Sequence, residues 1–289
     1  MNASELILNA DGSVYHLCLL PEQVAPLIIT VGDPDRVAKV SKHFDRVDFK
    51  VRKREFVTHT GWIGSTRLSV VSTGIGPDNV DIVLNELDAL FNIDLVARQP
   101  KEALTQLTII RIGTAGGLQA EIPVDDWVAS SAAFGMDGLL HFYEAPGMQD
   151  NLALQALRGH CAGQWAFPVS PYFAEGDRSL LQQFDTGFKQ GFTATNPGFY
   201  GPQGRRLRAA VAYPAYLDML QGFKFHENKI LNLEMETAAI YGLSKLLGHR
   251  AVSLSAVLAN RATGTFSRRP EKTVQDLIEF VLEKIFNGI

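Results

Sequence analysis

The sequence predicts an α/β fold with its ligand site at the carboxyl ends of buried strands, and three observations carry that prediction. Residues 107–112, Leu27–Val31 and residues 251–259 are continuous apolar runs of strand length, the pattern produced by burial on both faces of a sheet. The first two pass directly into glycine turns, and Val37, Val40 and Phe44 follow the second at helical spacing. Arg111 interrupts the central run just before Gly113, Thr114, Gly116 and Gly117. A guanidinium is seldom buried without a partner, and open α/β sheets hold ligands at such strand ends. Arg111, the Thr114 hydroxyl and the turn's N–H groups therefore read as an anion site. A salt-bridged arginine beside an ordinary turn is the plainer alternative.

The remaining elements follow in chain order. Residues 14–20 (VYHLCLL) are a short apolar segment carrying His16, which reads either as a structural histidine or as a ligand contact. After Leu27–Val31, Asp33 or Asp35 caps a helix with Pro34 in its first turn. Arg36 in that turn opposes the helix dipole and calls for an anionic partner, either Asp33 or a ligand. Residues 46–51, 55–63 and 66–72 read as successive, antiparallel strands with a turn at 61–64, and Arg54 alone reads as surface charge. Residues 73–77 (TGIGP) lead into a helix lined by Val80, Val83, Leu84, Leu87 and Phe91. This is an incomplete dinucleotide fingerprint: Asn79 holds the third glycine position, and Asp78 would repel a pyrophosphate.

Residues 97–106 read as a polar loop, 126–133 as a strand, and 151–161 and 177–184 as weak helices. Residues 136–147 and 188–208 show no usable period, but 196–206 (NPGFYGPQGRR) has the Gly/Pro-rich character of a binding loop. A strand at 230–233 meets Glu234, Met235 and Glu236, and a helix continues to about residue 247. The two carboxylates suit helix-end N–H groups or the hydroxyls of a polyol. Residues 260–272 are polar and suit a lid. Pro270 opens a final helix whose apolar stripe includes Val274, Leu277, Ile278, Val281, Leu282 and Ile285.

A chain of 289 residues, 46% hydrophobic and 20% charged, suits one domain over 1–289, with 1–13 as an N-terminal extension and 260–272 as the lid. The net charge of −4, without a basic block, disfavours nucleic acid and anionic membrane as partners. Cys18 and Cys161 lie far apart, so a reduced, cytoplasmic chain is expected. The first residues lack a basic region and a long apolar run, so no signal peptide is expected. No metal-ligand spacing occurs, so no metal site is expected.

Seven motifs in order resemble the nucleoside phosphorylase family, most closely its uridine phosphorylases. They are VYHL at 14–17, GDPDR at 32–36, REF at 54–56, STGIG at 72–76, RIGTAGG at 111–117, FYGPQGR at 199–205 and LEMET at 233–237. The resemblance implies a three-layer α/β/α domain around a central mixed, partly barrel-like sheet. It implies reversible cleavage of a nucleoside by phosphate, with inorganic phosphate as co-substrate and no cofactor. The implied phosphate set is Gly32, Arg36, Arg111 and Thr114, with Arg54 supplied by a neighbouring subunit. Glu234, Met235 and Glu236 would hold ribose, with the neighbour's His16 near the 5′-hydroxyl. Phe199, Gln203, Arg205 and Arg261 would hold the base. Arg111, Glu236 and Arg205 are the implied catalytic residues, and uridine or a related pyrimidine nucleoside is the implied substrate.

Two departures stand out. Ala115 removes a hydroxyl that many relatives have, and Asn79 replaces a serine that helps bind a structural monovalent cation in some bacterial relatives, so that site is not predicted. The length of the 97–106 loop leaves dimer or hexamer open, with a homodimer as the minimal unit. The alternatives are a purine nucleoside phosphorylase and a non-catalytic nucleoside-binding protein. Purine enzymes of this superfamily use an aspartate after the last strand, where this chain has Ala259, Asn260 and Arg261.

Overall fold

The computed structural model describes residues 1–163 and 169–288. Of the domain expected over 1–289, residues 164–168 and 289 lie outside the described residues. In chain order the first half contains β1 (Leu27–Val31), α1 (Pro34–Ser41), β2 (Arg46–Lys53), β3 (Phe56–Ile63), β4 (Thr66–Ser72), α2 (Pro77–Asn92), the short pair β5 (Ile93–Asp94) and β6 (Gln99–Pro100), β7 (Thr108–Gly117) and β8 (Trp127–Gly135). The second half contains α3 (Leu152–Cys161), β9 (Tyr172–Glu175), α4 (Arg178–Gln182), β10 (Lys189–Thr195), α5 (Tyr216–Gly222), β11 (Lys224–Phe225), β12 (Asn228–Glu234), α6 (Thr237–Leu246), β13 (Arg250–Asn260), β14 (Thr265–Phe266) and α7 (Pro270–Phe286).

The main sheet runs β11-β12-β10-β8-β13-β7-β1-β4-β3-β2. β12 also pairs with β7, so β7, β13, β8, β10 and β12 close into a ring. The other end stays open, and β2 is its edge, with every second residue exposed. The sheet is mixed: β1 is parallel to β4 and β7, and β13 is parallel to β7 but antiparallel to β8.

Period-two alternation of side chains sorts the apolar runs to two faces. Ile28 and Ile109 face a core shared with α2 and α6, whereas Ile29, Ile110 and Ile112 face α1 and α7. A third core, with Phe134, Phe192 and Phe223, packs α3 and α5 against β8, β10 and β12. Helices thus cover both sides of the sheet, giving the expected three layers. Among the described residues no helix is long and apolar enough to cross a membrane.

Four points correct or extend the expectations. The β3–β4 turn contains Gly64 (φ +56°), but Gly61 lies inside β3. A Cβ at Gly61 would lie 2.1 Å from the Arg46 carbonyl oxygen, where the β2–β3 register shifts. Within 188–208 lies the strand β10, whose period is hidden because its buried polar residues bond inside the ring. The Thr193 hydroxyl meets Ser130 and Asn232. The 97–106 loop contains β6. The 1–13 extension is docked on the domain: Leu6 is buried, Leu8 bridges Val14, and Arg98 donates to the Leu6 carbonyl.

Candidate active site

Closure of the ring builds the site. Asn232 pairs with Gly117 and Leu233 with Gly116, so the RIGTAGG and LEMET segments meet at one rim. A cleft of about 840 Å³ opens there. Gly32, Arg36, Arg111 and Thr114 of the implied phosphate set line it, and so do Glu234, Met235 and Glu236. Phe199, Gln203, Arg205 and Arg261 line it as well. His16 and Arg54 are not among its lining residues.

Arg111 is buried, and the strand explains how it fits. Residues i and i+2 share a face of a strand, so the guanidinium lies across Gly113. A Cβ there would lie 2.0 Å from Nη1. Nη2 donates to Glu236 Oε2 at 2.6 Å and lies 3.0 Å from Glu234 Oε2. Nη1 donates to Ser255 at 3.2 Å and Ser253 at 3.4 Å. Burial works against the charge, but Glu234 and Glu236 more than offset it and hold the Arg111 pKa above its ordinary value. The plainer reading of Arg111 as salt-bridged is therefore correct as far as it goes, yet the residue also faces the cleft.

The two carboxylates divide the roles that the sequence left open. Glu234 accepts from the N–H groups of Glu236 (2.8 Å) and Thr237 (2.9 Å) and from the Thr195 hydroxyl (2.5 Å). It thereby satisfies the start of α6, and its oxygens are largely committed before any ribose arrives. Glu236 accepts from Gly76 N–H at 2.9 Å besides Arg111. Burial pushes its carboxyl upward, and Arg111 limits the rise. The Gly76 N–H at the start of α2, which resembled part of a dinucleotide loop, thus serves a carboxylate. The Asn79 amide donates to the Ile75 carbonyl at 3.3 Å.

Arg36 sits in the first turn of α1, where Asp33 caps the helix by accepting from Asp35 N–H at 2.9 Å. No carboxylate among the described residues forms an ion pair with Arg36, whose Nη1 donates to the Ile112 carbonyl at 3.3 Å. Burial lowers its pKa, Asp33 partly restores it, and nearby Arg111 lowers it again. Two guanidiniums thus share this end of the cleft, an arrangement that favours an anion between them.

At the other end Gln203 is buried in a short turn, Gly201–Gln203. Its Oε1 accepts from Arg205 Nη1 at 2.6 Å, and Arg205 also donates to the Phe199 carbonyl at 2.6 Å. The Arg205 guanidinium stacks 3.7 Å from the Phe199 ring centroid. Arg261 donates to the Gln203 carbonyl at 3.1 Å. Burial, with repulsion from Arg261, pushes Arg205 down to about 10. The side-chain amide is therefore held by Arg205, with one Oε1 lone pair already in use, while Arg261 holds the backbone of the same residue. Asn260 is buried; it donates to the Gln119 and Ile122 carbonyls at 2.9 and 2.7 Å and accepts from Thr263 N–H.

His16 and Arg54 share another surface. Lys53, next to Arg54, donates to the Tyr15 carbonyl at 2.8 Å, and the His16 ring lies 6.5 Å from that of Phe56. Arg54 is exposed at φ +56°. The 260–272 segment is tied down at its base: Ser267 and Thr273 donate to Asp125 at 2.6 and 2.5 Å, and Arg269 does so at 3.3 Å. Phe266 in β14 is 65% exposed at the cleft wall.

Sequence reasoning missed Ser253 and Ser255, although two serines at i and i+2 in an apolar strand signal a polar face. It also missed that Gly113 exists to admit Arg111.

A model of the phosphorylase superfamily matches residues 26–284. A uridine phosphorylase of Thermococcus kodakarensis is 31% identical over 265 residues, 91% of this chain and 83% of that protein. A DeoD-type purine nucleoside phosphorylase of Listeria monocytogenes is 27% identical over 269 residues, 90% of this chain and 94% of that protein. The crystal structure of a Trypanosoma brucei nucleoside phosphorylase, described as showing uridine phosphorylase activity, superposes with a TM-score of 0.88 at 28% identity, covering 98% of this chain and 100% of that one. With the match spanning nearly the whole fold, the chain belongs to the phosphorylase superfamily, as one of its pentosyltransferases.

Proposed function

We propose that the protein is a uridine phosphorylase, cleaving uridine with inorganic phosphate to uracil and ribose 1-phosphate in cytoplasmic pyrimidine salvage. One observation carries this reading. A single cleft holds an anion-seeking pair, Arg36 and Arg111, then the Glu236 carboxylate, then the Gln203 amide fixed by Arg205. Phosphate, ribose and base fit those three stations in turn.

The chemistry follows from charge development. The glycosidic bond stretches toward an oxocarbenium-like ribose, which the phosphate dianion stabilises and then attacks. Arg36 and Arg111, joined by Arg54 of a second subunit, align the dianion, and alignment lowers the barrier. Gly32 and Thr114 add donors. Met235 packs against the sugar, and Glu236 accepts from its hydroxyls. Uracil departs with negative charge spread over its ring and carbonyl oxygens, met by Arg205 and by Arg261 beside it. Phe199 offers its ring to the base. No metal or cofactor enters this scheme.

Cytosine lacks N3–H and carries an amino donor in place of O4. Each group left unpaired costs about 1–3 kcal/mol. A purine reading would want an acid near residue 260, where Asn260 is occupied in holding backbone carbonyls. The test is uracil release from uridine with and without phosphate, beside base release from inosine. Release should stop when phosphate is removed, and kcat/KM for uridine should exceed that for inosine by at least about 30-fold, two unpaired groups' worth. Undiminished release without phosphate would indicate hydrolysis, and comparable turnover of inosine would favour the purine enzyme.

A further inference from the structure

Glu86 lies midway along α2, outside the cleft, and no step above uses it. Its side chain is only 16% exposed. Both oxygens are 3.0 Å from the His16 backbone N–H, Oε2 accepts from Leu17 N–H at 2.8 Å, and Oε1 is 2.7 Å from His16 Nδ1. One carboxylate therefore takes all the donors on one side of a single turn. Leu17 is buried, so the turn is anchored on the core as well.

A carboxylate is acceptor-only, so Nδ1 must be the donor in the 2.7 Å contact. In the neutral ring this leaves the lone pair on Nε2. Nε2 has no hydrogen-bond partner among the described residues, and the side chain is 27% exposed. The ring is thus oriented, its tautomer is fixed, and Nε2 is left as its acceptor.

We propose that Glu86 is a positioning residue for His16: it fixes the Nδ1–H tautomer, so that Nε2 accepts a hydrogen bond from the 5′-hydroxyl of a nucleoside bound in the adjacent subunit. This rests on the reading of His16 as a residue shared across subunits. It adds a specificity consequence: the site distinguishes a 5′-hydroxyl from a 5′-methyl through a carboxylate that never touches substrate.

The test compares uridine with 5′-deoxyuridine in wild type, His16→Ala, Glu86→Gln and the double variant. The Leu17 N–H can only donate, whereas the imidazole can shift its proton, so a glutamine turns its oxygen to Leu17 and its NH₂ to Nδ1, and the proton moves to Nε2. Glu86→Gln should lower the preference for uridine about ten-fold, the worth of one hydrogen bond. The change should fall mainly on KM, and 5′-deoxyuridine should be unaffected. His16→Ala should do the same, and the double variant should lose no more than either single one. An unchanged preference in Glu86→Gln beside a lost one in His16→Ala overturns the role of Glu86. Equal losses on both substrates also overturn it, since they indicate only structural damage. An unchanged preference in His16→Ala overturns the shared-site reading instead. Imidazole ¹⁵N shifts of the wild-type protein give an independent check. The Nδ1–H tautomer is expected at His16, and the Nε2–H tautomer would overturn the proposal without reference to activity.

Discussion

Arg111 neutralises two carboxylates that would otherwise face each other in the interior, and its removal tests that balance. Arg111→Ala leaves Glu234 and Glu236 buried without a cation, at a cost of about 3–5 kcal/mol. The Glu236 pKa is already raised by burial, and loss of Arg111 raises it further. A carboxylate with a raised folded-state pKa contributes stability that is complete below its unfolded value and lost as pH rises through the folded one. The variant's Tm deficit relative to wild type should therefore be large at pH 8 and shrink toward pH 5. A deficit that is constant with pH would mean that the carboxylates are not what destabilises it. Arg111 was legible in the sequence because a charge inside an apolar strand demands a partner. The division of labour between Glu234 and Glu236 was not legible. Both sit at a strand-to-helix junction and both reach Arg111, and only the fold shows that the first is also committed to the α6 N–H groups while the second takes the Gly76 N–H.

At the scale of elements, the segment after β13 is hinged on Asp125, a residue at φ +73° that binds Ser267, Thr273 and Arg269. Burial alone would raise its pKa, but those three donors outweigh burial and hold it below the usual carboxylate value. Its contribution to stability is thus present above the unfolded carboxylate pKa and lost as pH falls through the folded one. Asp125→Asn keeps a residue that tolerates positive φ but removes the charge. It should cost roughly 1 kcal/mol at this partly exposed site, or about 2 °C in Tm. Tryptic cleavage after Arg268 should accelerate, and KM for nucleoside should rise several-fold because Arg261 and Phe266 lose their tether. Wild-type cleavage rates in the variant would show that Asp125 does not restrain the segment. The polar character of the segment was legible from composition, but its anchor was not, because Asp125 is about 140 residues distant in sequence from its three donors. β10 was missed for a different reason: a strand inside a closed ring buries threonines on other strands' polar groups, which erases the apolar period.

At the scale of the molecule, an α/β fold followed from apolar runs alternating with helical stripes, whereas the three layers and the partly barrel-like sheet followed from the resemblance, since nothing local announces that β12 will meet β7. The placement of His16 and Arg54 likewise came from resemblance and not from any local signal. That the fold gathers them on one surface, off the cleft wall, supports a site completed by a second copy. Arg54→Ala and Arg111→Ala homodimers should each be nearly inactive. In a mixed dimer one site collects both lesions and the other neither, so co-refolding should restore part of the activity. Confirmed hybrids that stay at parental activity would mean that Arg54 does not act across the interface. The open end of the sheet bears on how copies approach one another. Along β2 the exposed positions are Arg46, Asp48, Lys50 and Arg52, three cations to one anion on strongly hydrated stems. Strand addition at this edge would strip water from that row and crowd like charges, a barrier to edge-to-edge pairing. The same row leaves the hairpin tip at Arg54 and the His16 turn as the ground on which a partner of the proposed kind can settle, and it guards a strand-rich chain against fibrous aggregation.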